Sequence, residues 1–418
     1  MRGLALLLLP SLALPQPPAP SMPEELIRLN RIRAKMAATL THLPNYTCTQ
    51  TVERSSRPGP SRRFRLEDTL RIEVAFVDGR EMFAWPGESK FEEKSLEELS
   101  QKGSFGTGTF AGFASNVFRS DAPTFRYEGE DVVDGRRTHR YGYEVPQFRS
   151  TFLMRVNTLK GIAGYRGSFW SDADTDEVLR LSIEAFDIPP QLDIQASTDL
   201  IEYQKVPIGG VPYLLPKTAE LTMVGSRGVE SKNLVRLTNC RQYAGESTLI
   251  FDEAPESGPT STPAPPQPPA EINVPAGLSL ELRLEAPVDT AALAVGDPVR
   301  FVLLKDAKYK NSTFIPKGAT VTARITFART FMEARPYQLI ALDLAELTFP
   351  GATARPKATL QEAGFYPIPG QDARLNPTPY RIPGLRAVAV PAGIRNLFLV
   401  PSTGVKLTQG LTFRWRTD

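Results

Sequence analysis

The side chains that could carry acid–base or nucleophilic chemistry are few in this sequence. There are two histidines, His42 and His139. A Ser-His-Asp mechanism needs a base held against the nucleophile, and no G-x-S-x-G motif is present. His42 is expected at the end of an N-terminal helix and His139 in a strand. We therefore predict a protein that is not an enzyme. A hydrolase with two acids facing each other across a cleft stays open as an alternative.

Motifs for metals and cofactors are incomplete. Two cysteines and two histidines are too few for zinc fingers or iron–sulfur clusters. Asp172, Asp174 and Asp176 form D-x-D-x-D, but the glycine and the final glutamate of a calcium loop are missing, so a polar hairpin turn is expected. Residues 106–111 match G-x-G-x-x-A without the βαβ context that a dinucleotide site needs. The sequence predicts no cofactor and no metal.

Aromatic side chains are the residues best suited to bind an apolar ligand. Many lie on predicted strands, and others lie in a Gly-rich helical segment at 103–118. A sheet with an apolar concave face, covered by this segment as a flap, would form a lidded apolar cavity. An ordinary packed core between sheet and helices is the alternative. The candidate ligand-binding residues are Phe76, Phe83, Trp85, Phe105, Phe110, Phe113, Phe118, Phe125, Tyr127, Tyr141, Tyr143 and Trp170.

The two cysteines, Cys48 and Cys240, could form a disulfide if the chain is exported. The N-terminus favours export, because Arg2 precedes an apolar run of 11 residues at 4–14 and Pro-rich sequence follows, as in a secretory signal. A run of this length is too short to span a bilayer, which needs about 20 residues. We predict a signal peptide at 1–13, a periplasmic or secreted protein, and a disulfide, with two buried free thiols as the alternative.

The length of the chain predicts two domains that position these residues. The chain has 418 residues, of which 38 are proline, and proline favours strands, turns and linkers over helices. A net charge of +3 is too weak for a nucleic-acid binder, and no segment is long and apolar enough to span a membrane. Residues 14–23 form a Pro-rich spacer and residues 254–270 a semi-rigid linker. We predict one β domain at 24–253 and a second at 271–418.

The first domain is expected to begin with a helix and to continue with strands. Apolar residues at spacings of three and four predict an amphipathic helix at 24–43, which Pro44 ends. Turn signals such as Asp78-Gly79 separate many of the strands. Strands are predicted at 48–55, 64–77, 80–85, 124–129, 137–145, 152–157, 165–171, 178–187, 198–205, 211–223 and 231–238.

The second domain repeats a turn followed by a strand. Gly277 and Gly318 each close a Pro-x-Gly turn and lead into an alternating strand, and Gly410 opens a degenerate third copy. Because proline cannot donate to a ladder and glycine permits positive φ, this pattern makes a tight entry to a strand. An arginine six residues after each glycine follows from the alternation and needs no ligand. The domain is expected to be an all-β sandwich or a small barrel.

Three motifs of the first domain resemble lipoprotein-sorting proteins of the LolA/LolB type. They are VVDGRRTHRY at 132–141, SFWSDADTDEVLRL at 168–181 and VPYLLPKTAEL at 211–221. The resemblance spans residues 24–252. It implies a curved antiparallel half-barrel with a lipid-accepting apolar interior and a helical lid. The insertion at 86–119 and the C-terminal domain depart from those carriers.

The second domain and the whole chain carry further resemblances. The Pro-x-Gly strand entries resemble the periplasmic β-domain of conjugation-channel scaffold proteins of the TrbI type, over residues 272–330. The whole chain resembles two-domain exported proteins of soil bacteria. Our first hypothesis is an envelope protein that binds a lipid, an acyl chain or a lipoprotein. The second is an envelope scaffold with a filled core and a protein partner on its C-terminal domain. The volume of the cavity between sheet and flap distinguishes the two.

Overall fold

The described part of the chain is mainly β, with two α-helices and a curled half-barrel sheet, which confirms the predicted fold class. The computed structural model describes residues 22–88, 90–92, 110–156, 159–243, 269–332, 336–363, 366–368, 393–400 and 404–418. The predicted signal peptide and nearly all of the predicted linker lie outside the described residues, as do residues 103–109 of the Gly-rich segment, including Phe105. Neither described helix is long and apolar enough to cross a bilayer.

The N-terminal domain combines two helices with a succession of strands. Each strand predicted from the sequence overlaps an observed one, and the short strand β7 was missed. The elements are α1 (Glu24–Thr41), β1 (Tyr46–Arg57), β2 (Arg65–Val77), β3 (Arg80–Ala84), α2 (Phe110–Phe118), β4 (Thr124–Val133), β5 (Arg136–Val145), β6 (Leu153–Val156), β7 (Leu159–Ile162), β8 (Gly164–Asp172), β9 (Val178–Phe186), β10 (Ile194–Ile208), β11 (Val211–Gly225) and β12 (Glu230–Gln242).

The main sheet of this domain is antiparallel, in the order β3-β2-β1-β12-β11-β10-β9-β8-β5-β4. Two-residue turns set the registers of its hairpins. In the turn between β2 and β3, Asp78 and Gly79 have positive φ values of 51° and 78°. A turn of this type has a twist that matches the twist of the flanking strands. Side chains alternate between the two faces along each strand. Tyr141, Phe169 and Leu181 therefore lie side by side on β5, β8 and β9, and all three are buried on the concave face.

Helix α1 covers part of the concave face. Its buried residues are Leu29, Ile32 and Met36, at the spacing of three and four that predicted an amphipathic helix. Glu24 and Glu25 lie in the first turn, where acidic side chains interact favourably with the helix dipole. The apolar stripe of α1 thus closes the hydrophobic core of the N-terminal domain from one side.

A disulfide joins Cys48 of β1 to Cys240 of β12, as the sequence predicted. The two strands are neighbours in the sheet, although the cysteines are 192 residues apart in the chain. Closing so long a loop stabilises the folded state by about 5 kcal/mol in the chain-entropy model. The disulfide therefore holds the first strand of the sheet against the last strand in sequence.

The described C-terminal domain consists of strands. The largest sheet has the order β13-β21-β20-β19-β16-β14-β26-β22, with β24 on β20 and β23 on β24. The strands are β13 (Ala270–Glu271), β14 (Ser279–Leu284), β15 (Val288–Asp289), β16 (Pro298–Leu303), β17 (Ala307–Tyr309), β18 (Ser312–Ile315), β19 (Thr320–Phe331), β20 (Tyr337–Phe349), β21 (Ala352–Ala354), β22 (Ala358–Ala363), β23 (Tyr366–Ile368), β24 (Leu397–Val400), β25 (Lys406–Leu407) and β26 (Thr412–Thr417).

The predicted turn-and-strand repeat is present in this domain. Gly277, Gly318 and Gly410 have φ values of 88°, 88° and 92°. Strands β14, β19 and β26 each begin two residues after one of these glycines. Along β14, Leu280, Leu282 and Leu284 are buried and the two side chains between them are not. The alternation that predicted one buried face is therefore observed.

The C-terminal domain docks on a stretch of β2 that has an open side. Strand β3 pairs only with residues 73–77 of β2. Beyond that point, the Arg71 amide donates to the Val295 carbonyl at 2.8 Å, and the Val295 amide donates to the Thr69 carbonyl at 2.7 Å. Val295 is buried in the N-terminal core, and the Arg71 guanidinium contacts the two carboxylate oxygens of Asp297 at 2.5 and 2.6 Å. The second domain thus adds a short β-bridge to the first sheet.

Candidate functional site

An apolar pocket lies between the end of α1, helix α2 and one half of the concave face. Its wall combines side chains from both helices and from strands β1, β2, β3, β10, β11 and β12. Its volume is about 20 Å³, which holds about one water molecule. The lining residues are Met36, Leu40, Leu43, Tyr46, Gln50, Val74, Phe76, Glu81, Ala114, Tyr203, Leu214, Leu215, Pro216 and Leu237.

Two polar groups of this pocket are buried without a hydrogen-bond partner among the described residues. They are Oε2 of Glu81 and the hydroxyl of Tyr203. Burial raises the pKa of the Glu81 carboxyl to about 8, so the group is mostly protonated at neutral pH. Burial also raises the pKa of the Tyr203 phenol. An unsatisfied buried polar group costs about 1–3 kcal/mol, so the pair calls for an explanation.

The turn between β2 and β3 places Glu81 inside. Glu81 pairs directly with Phe76 across this hairpin, and side chains of directly opposed residues lie on the same face. Phe76 belongs to the core and stacks on Tyr46, with ring centroids 5.5 Å apart. Burial raises the pKa of Tyr46, and the charged form of Glu81 would raise it further. Glu81 was not among the residues predicted from the sequence, although its alternation with Phe83 in β3 places it on the inner face.

Of the predicted aromatic residues whose side chains the structure describes, Phe76 lines the pocket. A second group fills the other half of the concave face as packed core. Its ring centroids are close: Phe118–Phe169 5.0 Å, Tyr141–Phe169 5.3 Å, Tyr127–Tyr141 5.1 Å and Phe125–Phe169 6.3 Å.

The polar ends of this packed group have partners. The Tyr141 hydroxyl donates to the Glu25 carbonyl at 2.9 Å. The Tyr143 hydroxyl donates to the Ser182 carbonyl at 2.7 Å. This half of the face is therefore a satisfied aromatic core, whereas the pocket half contains unsatisfied groups.

Trp170 does not belong to the interior, contrary to its place in the predicted cavity. Neighbouring residues of a strand point to opposite faces, and Phe169 occupies the concave side. Trp170 instead donates from Nε1 to Asp131 at 2.9 Å and packs under the Arg140 guanidinium, 5.0 Å from the ring centroid. It is a side chain of the outer face.

Trp85 lies where the two domains meet. Gly296 has a φ of 103°, and a Cβ there would lie 2.7 Å from the Trp85 ring. The Arg324 guanidinium is 5.1 Å from the centroid of the same ring and pairs with Glu88. Trp85 therefore packs against the C-terminal domain, which the sequence did not indicate.

The remaining predicted aromatic residues lie near helix α2 and strand β3. Phe83 is buried in the core opposite Val74. Phe113 is partly buried and contacts Phe152 at 5.4 Å between centroids. Phe110 begins α2, and its side chain lies outside the described part of the structure. Phe83 and Phe113 are not among the described residues that line the pocket.

Both histidines occupy ordinary structural positions. His139 Nδ1 is 3.2 Å from an Arg28 guanidinium nitrogen and 3.1 Å from the Tyr127 hydroxyl. Burial, and secondly the charge of Arg28, lower the pKa of His139. His42 Nδ1 is 2.7 Å from the Ala38 carbonyl at the end of α1. Among the described residues, neither histidine forms a hydrogen bond with a serine, threonine or cysteine side chain.

The D-x-D-x-D segment forms the polar turn that the sequence predicted. One oxygen of Asp172 accepts from the Thr175 amide at 2.8 Å, the Thr175 hydroxyl at 2.9 Å and the Asp174 amide at 3.1 Å. These bonds lower the pKa of Asp172 against the opposing effect of burial. Among the described residues, no group of three or more metal-binding side chains is found.

A larger cavity, of about 700 Å³, lies across strands β4, β5, β8, β9, β10 and β11 and is lined mainly by outer-face side chains. Much of its wall is charged, and many of the charges neutralise one another. Arg126 and Arg140 both contact Glu128, at 2.7 and 2.8 Å, and Arg166 contacts Glu184 at 2.8 Å. This groove resembles a solvated network of surface ion pairs, each of which contributes little to stability.

Comparisons with known proteins give a likeness in fold. A scan against protein-family models and a search of curated proteins both found no match. Among solved structures, a DUF1329 family protein from Desulfovibrio piger matches with 14% identity and a TM-score of 0.28, over 52% of this chain and 93% of that chain. A putative outer membrane lipoprotein-sorting protein domain from Vibrio parahaemolyticus matches with 12% identity and a TM-score of 0.28, over 53% and 95%.

A LolA superfamily protein from Nitrosomonas europaea also matches, with 10% identity and a TM-score of 0.27, over 52% of this chain and 94% of that chain. The matches cover the N-terminal half, whose motifs resemble lipoprotein-sorting proteins. At these TM-scores the likeness is distant. The function proposed next therefore depends on the side chains of this chain.

Proposed function

We propose that this chain binds a lipid, an acyl chain or the acylated end of a lipoprotein between the concave face of its N-terminal sheet and its two helices. The observation that supports the proposal is the apolar pocket with the unpartnered polar groups of Glu81 and Tyr203. An amphiphile would cover the apolar wall with its chain and satisfy the polar groups with its head. This pattern of apolar walls with a few convergent polar groups is typical of small-molecule sites.

Entry of an acyl chain requires the helices to move. The pocket of about 20 Å³ is too small for a chain in this conformation. Met36 and Leu40 of α1 and Ala114 of α2 form one side of the wall, so a shift of these helices would enlarge it. Each methylene buried contributes about 0.8 kcal/mol, so ten methylenes would contribute about 8 kcal/mol toward opening. The helices would thus serve as the lid.

The proposal does not include catalysis. A carboxylate-based hydrolase needs two acids facing each other across one cleft. Among the described residues, the two carboxyl groups whose pKa is raised by burial, Glu81 to about 8 and Asp199 to about 7, line different cavities. A binding protein that acts outside the cytoplasm also agrees with the Cys48–Cys240 disulfide, because disulfides persist in oxidising compartments.

The experiment is lipid extraction followed by binding of a fluorescent acyl probe. We expect mass spectrometry of organic extracts to identify a stoichiometric lipid in protein purified from its own compartment. Leu214, on the pocket wall, and Leu200, 37% exposed on the neighbouring strand β10, form a matched pair. We expect Leu214→Asp to weaken probe binding at least about tenfold, because it places a charge on an apolar wall. Leu200→Asp should leave binding unchanged.

Thermal unfolding of both variants provides the control for folding. A protein that yields no lipid and takes up no acyl probe would disprove the proposal. Equal binding by a folded Leu214→Asp variant would show that the probe binds elsewhere.

The small volume of the pocket supports a second candidate function. An envelope scaffold with a filled core would need no cavity, and about 20 Å³ is close to that case. The docked C-terminal domain would then present the surface for a protein partner. Absence of both lipid and probe binding, together with capture of an envelope protein by the C-terminal domain, would favour this function.

A further inference from the structure

The described lining of the apolar pocket contains no positive charge. It brings together Glu81, the phenols of Tyr46 and Tyr203 and the amide of Gln50, and its other side chains are apolar. A lipid carboxylate or phosphate buried here would meet no cation among the described lining residues. Burying an unpaired charge is far more costly than burying a polar group that finds a hydrogen bond.

The polar groups of the pocket are suited to an uncharged partner. The protonated Glu81 carboxyl and the Tyr203 hydroxyl can each donate one hydrogen bond, and the Gln50 amide has two further N–H donors. Tyr203 is 8% exposed and Gln50 is 2% exposed. An ester carbonyl or a hydroxyl group accepts such bonds without bringing a charge into the core. A ligand carboxylate beside Glu81 would instead place two acids together. Because like charges repel, each acid would oppose the ionisation of the other.

We infer that the pocket selects amphiphiles whose polar group is an uncharged ester or alcohol, such as an acylglycerol, and discriminates against free fatty acids. Glu81 and Tyr203 are the specificity-determining residues, and both act as hydrogen-bond donors to the ligand oxygen. The inference rests on the proposed function, since it names the class of ligand that the same pocket takes.

The first test compares two probes with the same chain. Monolauroylglycerol and laurate, both below their aggregation concentration at pH 7, should displace a neutral fluorescent acyl ester from the full-length protein. We expect the glycerol ester to bind at least about tenfold more tightly, the equivalent of one satisfied hydrogen bond together with an avoided buried charge. If laurate binds as tightly as the ester, the inference is wrong while binding of lipids stands. If neither probe binds, the proposed function itself fails.

The second test assigns the selectivity to Glu81. Glu81→Leu should weaken ester binding about fivefold to tenfold, because it removes a donor. Glu81→Gln keeps a neutral donor and should retain ester binding. Glu144→Leu, which removes an exposed carboxyl from β5, is the matched control and should behave as the wild type. An unchanged preference for the ester in a folded Glu81→Leu variant would overturn the inference.

The third test uses pH and the native side chain. The titratable groups that face Glu81 are Tyr46 from β1 and Tyr203 from β10, while α1, α2, β2, β11 and β12 bring uncharged side chains to the pocket. Raising the pH from 7 to 9.5 ionises Glu81, so ester affinity should fall severalfold in the wild type. It should stay constant in Glu81→Gln. A wild-type affinity that is flat over this range would contradict the role of Glu81 as a donor.

Discussion

The Glu81 carboxyl is buried beside Tyr46 and Phe76, and burial raises its pKa to about 8. In an unfolded chain a glutamate ionises near pH 4.3. Between these values the folded state holds a proton that the unfolded state has released. The free energy of unfolding must therefore fall as the pH rises from about 4.5 through 8, and this contribution is fully present only below the lower value. A group placed in this way opposes folding at neutral pH, which is typical of a residue that serves binding.

This linkage predicts the behaviour of Glu81→Gln. The substitution removes the ionisable group, so we expect the variant to be more stable than the wild type at pH 9, by up to about 5 kcal/mol for the full shift from about 4.3 to about 8 at roughly 1.36 kcal/mol per pKa unit. The difference should shrink at pH 5. Urea unfolding across this pH range measures it. Glu271→Gln, at an exposed position of β13, serves as the control, and an equal gain there would refute the explanation.

At the scale of the elements, strands β5, β8 and β9 approach one another around a residue without a side chain. A Cβ at Gly167 would overlap the carbonyl of Ser182, the same oxygen that accepts from the Tyr143 hydroxyl at 2.7 Å. Tyr143 is 4% exposed. Glycine at this position therefore lets the aromatic side chain reach across β8 to the backbone of β9.

We predict that Gly167→Ala destabilises the fold by about 2–4 kcal/mol, because the methyl group has no space and the Tyr143 hydrogen bond must break. Thermal or urea unfolding gives the value. At Gly59 an added Cβ would meet nothing within 4 Å, so Gly59→Ala is the matched control and should change stability by less than about 1 kcal/mol. Similar losses in both variants would mean that the close approach has no energetic role.

The elements could be predicted from the sequence better than the site could. Turn signals and the alternation of side chains are local, so the strands of the N-terminal domain and the Pro-x-Gly entries of the second domain were found. Trp170 was misplaced because the same alternation, applied to Phe169, puts the next residue outside. Glu81 was missed because its environment depends on side chains from β10, β11 and both helices, which are distant in sequence. No local pattern shows which of these elements bring charged side chains to the pocket.

At the scale of the whole molecule, the two domains share hydrogen bonds, ion pairs and apolar surface. Val295 is buried in the N-terminal core, and Arg71 forms its ion pair with Asp297 across the boundary. Arg329 pairs with Glu67 at the same boundary. A partly buried ion pair with two short contacts contributes more to the free energy of unfolding than an exposed pair does. The domains are therefore expected to unfold together rather than independently.

Val295→Asp tests this coupling, since it places a charge in an apolar core and breaks the fit of the bridge. We expect one calorimetric transition in the wild type and two transitions in the variant, with faster proteolysis at the linker. Val229, which is 49% exposed, provides the control through Val229→Asp, for which a single transition should persist. Two transitions already present in the wild type would contradict the expected coupling.

The bridge on β2 also bears on the order in which the chain is synthesised. The N-terminal sheet can close once Gln242 has been made. Asp297, which pairs with Arg71, comes later in the chain, 226 residues after Arg71. In the compartment where the exported chain folds, a further 55 residues (297 − 242) must therefore arrive after Gln242 before the bridge can form. During that interval the open side of β2 presents unpaired amides and carbonyls that could pair with another nascent chain. Arrival of the second domain thus covers the unpaired backbone groups on the open side of β2.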